Sequence, residues 1–274
     1  MYIALPLAGL LTVALYYLGR LYFRQDMLVF RPTRVAARDP GQYGFPFCDF
    51  QLALSDGSRV RSWWIPNAES DQAVIFFHGS DGNITHELPT LQFLYALSVN
   101  VLLVEYPGYE MNGVRPSERG CYLAASAAWQ FLIQEKGFDS SRTILYGQSL
   151  GSAVAIYLCA SQGSCGGLVI QSGFTSVPDL AAYLYPYLPV RVFCHTRMDS
   201  LQRIAHCTCP LLVIHSQEDE HIPIQQALRL FHHARSPKKF VTIHGLHSSF
   251  RWQLRPEIHA AWLELLKGEV QTWE

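Results

Sequence analysis

The chain has 274 residues, 49% of them hydrophobic and 16% charged, with a formal net charge of −1. That length suits one α/β domain and is short for two, the low charge and high apolar content exclude a mainly disordered chain, and the near-neutral balance leaves no basic footprint for nucleic acid. No repeat period or low-complexity tract is present, which excludes solenoid and fibrous classes.

Residues Met1 to Gly19 carry no charged side chain. As a helix the run covers roughly 28 Å, just enough for a bilayer core. Tyr16, Tyr17 and Tyr22 fall at its end, where amphipathic rings favour the interface, and Pro6 and Gly9 are tolerated in a membrane helix. A cleaved leader would start with a basic stretch, and no Lys or Arg precedes the apolar run. A retained single-pass transmembrane helix within residues 1–23 is therefore expected. Arg20, Arg24, Arg31, Arg34 and Arg38 follow it, which places the remainder in the cytoplasm by the positive-inside rule. Seven cysteines, an odd number without scaffold-like spacing, agree with a reducing compartment.

Residues 24–46, rich in Arg, Gly and Pro, read as a linker, and residues 47–274 as the folded domain. Cys48–Leu54 and Arg59–Ile65 have the pattern of two strands joined by the turn Ser55-Asp56-Gly57-Ser58. Six short apolar runs follow: Ala73–Phe77, Val101–Val104, Thr143–Tyr146, Leu168–Ile170, Leu211–Ile214 and Phe240–Ile243. Continuous runs of this kind suit strands buried on both faces. Between them the spacing predicts a helix from the N-cap Ser117 through Glu135, stopped by Gly137, and others over Gln225–Ala234 and Pro256–Lys267. Strands alternating with helices imply an α/β fold, a mostly parallel eight-stranded sheet with helices on both faces. Ligands of such sheets bind beyond the carboxyl ends of the strands, so the chemistry should follow each apolar run.

After Thr143–Tyr146 comes Gly147-Gln148-Ser149-Leu150-Gly151, a G-x-S-x-G sequence between a strand and a helix. The glycines allow a sharp turn that exposes the Ser149 hydroxyl at the sheet edge, with a helix N-terminus behind it. After Leu211–Ile214 lie Glu218, Asp219 and Glu220. Asp219 is best placed to orient an imidazole, and its two neighbours read as solvated charges. After Phe240–Ile243 come His244 at the strand end and His247 in the loop, and His247 is the better base. After Ala73–Phe77 comes His78-Gly79-Ser80-Asp81-Gly82-Asn83. Its backbone can present the Ser80 N–H to an oxyanion beside the N–H of Leu150, while His78 reads as structural.

Together these residues resemble the α/β-hydrolase superfamily, in which the chain order Ser149, Asp219, His247 is usual. Within it the chain is most similar to Bem46-like, membrane-anchored hydrolases of the ABHD13 type. The N-terminal apolar run, Leu28–Pro32, His78–Asn83, Tyr106-Pro107-Gly108-Tyr109, Gly147–Gly151, Phe174-Thr175-Ser176 and Cys209–Pro223 carry the resemblance, which spans nearly the whole chain. The chain departs from the family's pattern at Glu110, where a glycine is usual, and at Ser248-Ser249, where Asn-Asp is usual.

The resemblance implies a serine hydrolase with Ser149 as nucleophile, His247 as base, Asp219 as orienting acid, and Ser80 and Leu150 as the oxyanion hole. About forty residues are available for a cap before Leu211, so any cap is minimal. Its Tyr183, Tyr185, Tyr187, Leu188 and Phe193 are apolar and aromatic. Most of them are expected to pack on the sheet, and the rest suit an apolar acyl substrate. Tyr109 and Tyr185 are the expected substrate-binding residues. The partners expected are a small-molecule or lipid acyl substrate and the membrane. No cofactor fingerprint is present, and neither Cys207-Thr208-Cys209 beside His206 nor His232-His233 has metal-ligand spacing, so neither a cofactor nor a metal is expected. The expected activity is hydrolysis of acyl esters or thioesters. The alternatives are a serine peptidase or amidase on the same triad, or a catalytically idle membrane-tethered interaction protein.

Overall fold

A computed structural model of the chain describes Tyr16 and residues 19–20, 22–33, 38–109, 114–247, 255–271 and 273. The expected membrane helix lies almost entirely outside these residues, as do Glu110 and Ser248-Ser249. Among the described residues no helix is long and apolar enough to cross a membrane.

In chain order the strands are β1 (Arg31–Pro32), β2 (Cys48–Ala53), β3 (Arg59–Ile65), β4 (Ala73–Phe77), β5 (Asp81–Gly82), β6 (Asn100–Val104), β7 (Thr143–Gln148), β8 (Gly167–Gln171), β9 (Leu211–Ser216) and β10 (Lys238–Ile243). The α-helices are α1 (Asp26–Val29), α2 (Leu88–Ala96), α3 (Glu118–Gln130), α4 (Leu150–Gln162), α5 (Val177–Leu184), α6 (Val190–Phe193), α7 (Ser200–Ile204), α8 (Ile224–His233) and α9 (Pro256–Lys267). Eight strands form one sheet in the order β10-β9-β8-β7-β4-β6-β3-β2. The sheet is mixed rather than purely parallel, because β3 runs antiparallel to both β2 and β6.

The continuous apolar runs are explained by two cores, one on each face. Along β4, Ile75 and Phe77 join one core while Val74 and Phe76 join the other. Helices α3, α4 and α8 cover the first through Ala124, Val154 and Leu230. Helices α2 and α9 cover the second through Leu91, Leu94 and Trp262. Full burial of each Val, Leu, Ile or Phe side chain contributes roughly 1.5–3 kcal/mol, so the alternation along each central strand fixes its register and its facing.

Two expectations, the helix end and the packing of the cap aromatics, are corrected. The helix predicted to reach Glu135 keeps α geometry only to Gln130 and finishes as a π turn over Phe131–Glu135. Within residues 24–46, read as a linker, β1 pairs with β5 and the Arg31 and Thr33 N–H groups donate to the Ser80 and Gly82 carbonyls at 3.0 and 2.9 Å. The cap aromatics do not pack on the sheet: Tyr183, Tyr185, Leu188 and Phe193 are exposed, and Tyr187 is 97% exposed.

The sheet order places the site. From β4 the chain goes to β6 on one side and later returns to β7 on the other. The carboxyl ends of β4 and β7 thus form the topological switch point, where α/β sheets bind ligands.

Candidate active site

Ser149 joins β7 to α4 with φ +52° and ψ −116°. A serine costs energy in this left-handed region and stays there only when its surroundings enforce it. Two glycines make the turn possible. A Cβ on Gly147 would run into the Gly151 backbone, and one on Gly151 into the carbonyls of Phe77 and His78. The strand and helix therefore cross at a separation only glycine allows. The Ser149 N–H donates to the Gln171 carbonyl at 2.8 Å, and its carbonyl accepts from the Ser152 N–H at 3.0 Å and hydroxyl at 2.6 Å. Its own hydroxyl makes no helix cap.

That hydroxyl instead meets Nε2 of His247 at 3.1 Å, and Nδ1 of His247 lies 2.7 Å from Oδ2 of Asp219. One tautomer satisfies both contacts: Nδ1–H donates to Asp219, leaving Nε2 to accept from Ser149. The Asp219 side chain is fully buried. Burial alone would push its carboxyl up, but hydrogen bonds from His247 and from the Ile222 and His221 N–H groups hold it below the usual range. His215 packs beneath it, with Nε2 at 2.8 Å from the Ile222 carbonyl and 3.7 Å from Asp219. Burial lowers the His215 pKa, which favours a neutral ring there.

Glu218 and Glu220 are more than solvated charges. Glu218 accepts from the Gly245 N–H at 3.0 Å, and Glu220 accepts from the His247 N–H at 2.8 Å. Three consecutive acidic residues therefore grip the His247 loop, the outer two by its backbone and Asp219 by the imidazole.

The loop after β4 runs beside the elbow, where a Cβ on Gly79 would lie 3.5 Å from the Ser149 Cβ. Nδ1 of His78 faces the Gly79 carbonyl at 2.9 Å and Nε2 faces Oε1 of Glu105 at 2.8 Å. A trans peptide points its N–H opposite its carbonyl, so this contact aims the Ser80 N–H away from His78. Both ring nitrogens of His78 face acceptors, which suits the imidazolium. Burial opposes that charge, but the Glu105 carboxylate outweighs it and raises the His78 pKa. Glu105, buried in the core, also accepts from the N–H groups of Ile84 and Tyr106 at 3.0 and 3.1 Å. Leu150 is the first residue of α4, so its N–H has no acceptor within the helix.

The two expected substrate-binding tyrosines lie apart in kind. Tyr109 is buried at 1% exposure and its hydroxyl donates to the Ser80 carbonyl at 2.8 Å, while Tyr185 is exposed at the end of α5. Glu105, His215, Glu218 and Glu220 were not legible as site residues. Their only sequence signal is position, at or just after the carboxyl ends of β6 and β9.

Buried Glu87 near His78 gives a pH test. Burial raises its carboxyl pKa to about 7, against which His78 and Thr90 pull down. A carboxyl raised on folding binds a proton that the unfolded chain releases, so stability falls as pH rises from the ordinary glutamate value toward about 7. The raised His78 acts in the same direction, its contribution being lost as pH rises through its folded pKa. The Glu87 contribution to the urea midpoint is expected to fall between about pH 5 and about pH 8, by an energy of order 2 kcal/mol, while the lowered His215 acts the other way. Glu87→Gln should flatten that slope, and an unchanged slope in the variant would remove Glu87 from the account.

Residues 123–249 match the sequence profile of the prolyl oligopeptidase family. An uncharacterized protein of Mycobacterium tuberculosis is 35% identical over 72% of this chain and 71% of its own length. Protein bem46 of Schizosaccharomyces pombe is 30% identical over 84% of this chain and 81% of its own. An uncharacterized membrane protein of Saccharomyces cerevisiae is 26% identical over 85% of each chain. Among solved structures the Pyrococcus furiosus esterase Pf2001 superposes with a TM-score of 0.72 at 22% identity, covering 87% of this chain and 98% of that one. With the eight-stranded sheet and the serine elbow at its switch point, this places the chain in the α/β-hydrolase family, as a homologue of Bem46.

Proposed function

We propose that the protein is a membrane-anchored serine hydrolase that cleaves acyl esters or thioesters through an acyl-enzyme on Ser149. The observation that carries this reading is the unbroken run Ser149–His247–Asp219, set on a strained elbow at the switch point. His247 takes the hydroxyl proton as the Ser149 oxygen attacks the acyl carbon. Asp219 holds the tautomer and stabilises the imidazolium, and the oxyanion is met by the N–H groups of Ser80 and Leu150. His247 then protonates the departing alcohol or thiol. Water, deprotonated by the same imidazole, releases the acid and restores Ser149. His78 and Glu105 act as positioning residues by holding the Gly79–Ser80 peptide.

The substrate class is inferred from the cap. Its exposed aromatics lie beside the end of the N-terminal segment, where Gln25 bonds the Phe193 carbonyl and His195 N–H, and Asp26 meets His195 and Thr196. Phe23, Met27 and Leu28 add exposed apolar surface in the same segment. An apolar rim next to a chain that leads into an uncharged run suits substrates presented from a bilayer. The positive-inside pattern puts this domain on the cytoplasmic side. A panel of p-nitrophenyl esters of increasing chain length, assayed with and without lipid vesicles, tests the proposal. Turnover that rises with chain length and with vesicles is expected, and no hydrolysis of any ester by folded protein would sink it.

The prolyl oligopeptidase profile favours a second reading, amide hydrolysis on the same triad. A matched ester and anilide pair separates the two, since a higher kcat/KM on the anilide would select the second.

A further inference from the structure

Three thiols converge at the end of the sheet opposite the serine elbow. Cys159 lies in the last turn of α4, Cys165 in the loop before β8 and Cys209 just ahead of β9. Their Sγ atoms are 3.2 Å (Cys165–Cys209), 3.4 Å (Cys159–Cys209) and 3.8 Å (Cys159–Cys165) apart. All three are buried, and Cys207 adds a fourth thiol beside Cys159. The three ligand atoms lie within 4.8 Å of one another. His206 does not belong to that group. Spacing in the chain conceals the cluster because its members come from separate segments, joined only when β8 pairs with β9.

We propose that Cys159, Cys165 and Cys209 hold a thiophilic metal ion, zinc(II) or an ion of like character, as a structural staple. A lone buried cysteine behaves as a small hydrophobe, but three sulfurs meeting at one point from three segments present a face of soft donors. An ion at the usual zinc–sulfur distance of about 2.3 Å from all three would sit about 1 Å above their plane, as the apex of a tetrahedral site does. Cys207 lies outside that group of three, so Cys159, Cys165 and Cys209 are the ligand set. A disulfide fits the arrangement less well, because an S–S bond is about 2.05 Å and would use two of the sulfurs and strand the third. Each ligating thiol gives up its proton to solvent as a metal–sulfur bond forms, and nothing is oxidised.

The location defines the role. The site lies at the base of α4, β8 and β9, whose far ends carry the Leu150 N–H, the Gln171 carbonyl that fixes Ser149, and the loop of Asp219. The ion is too far from the elbow to touch substrate, and it ties together the three elements that set the catalytic geometry. It stands independently of the proposed hydrolase activity.

The test is zinc content of the full chain, prepared under reductant with zinc supplied and freed of loose metal by gel filtration. About one zinc per chain is expected, lost in Cys165→Ser and Cys209→Ser and retained in Cys48→Ser, whose thiol is exposed. Should the serine variants misfold, the wild-type chain decides the matter. A mercurial reagent should release zinc to a chromogenic chelator in step with thiol modification, and cobalt(II) in place of zinc should give a thiolate charge-transfer band. Zinc-free protein with these thiols reduced, or a Cys165–Cys209 disulfide that survives the reductant, overturns the proposal.

Discussion

Ser149→Ala is expected to lower kcat on a short-chain aryl ester by about 10⁴-fold or more, with KM and the urea midpoint little changed. The Ser149 hydroxyl makes no helix cap, so its loss removes the proposed nucleophile without unpairing a helix N–H. The variant also relieves nothing in the backbone, because alanine must adopt the same left-handed φ of +52°. His247→Ala should cost about as much, and the double variant little more than either, since members of one relay act as a unit. Residual turnover near the wild-type rate in Ser149→Ala would assign the chemistry to another group.

Gly151→Ala is expected to destabilise the fold by about 3 kcal/mol or more and to abolish turnover in whatever folds. The added methyl would meet the backbone carbonyls of Phe77 and His78, which no rotamer change can move aside. Helix α4 must then back away from β4, carrying the Leu150 N–H and the Ser149 turn with it. Gly163→Ala is the control at the other end of α4. Its φ is +79° and nothing lies within 4 Å of the added Cβ, so the cost is conformational only, about 1 kcal/mol. Equal midpoints for the two variants, measured by urea unfolding, would show that the close crossing at Gly151 is not what holds the elbow.

The central strands β4, β6, β7, β8 and β9 were legible because they are buried on both faces, and β2 and β3 because a turn sequence joins them. Arg59–Ile65 and Ala73–Phe77 have the predicted bounds, and the other six differ by one to two residues at an end. The positions of Ser149, Asp219 and His247 were legible because Ser149 directly follows β7 and the other two lie in the loops just after β9 and β10, and strand ends are where this architecture gathers side chains. Partners that depend on tertiary contact left no such mark. Glu105 meets His78 across 27 residues, Glu220 meets the His247 N–H across 27, and Cys165 meets Cys209 across 44. The cap misled in a different way. Aromatic composition predicts burial, yet Tyr187 and its neighbours face outward. Helix α2 was missed for want of contrast: Leu88, Leu91, Phe93 and Leu94 are all buried, so little polar face marks its period.

Covalent labelling of the folded chain with a fluorophosphonate, followed by peptide mass mapping, asks whether Ser149 is the nucleophile. One adduct is expected, on Ser149, forming at a rate that collapses in His247→Ala and Asp219→Asn. Folded protein that takes no label, or that takes it at another residue while Ser149 stays free, would contradict that role.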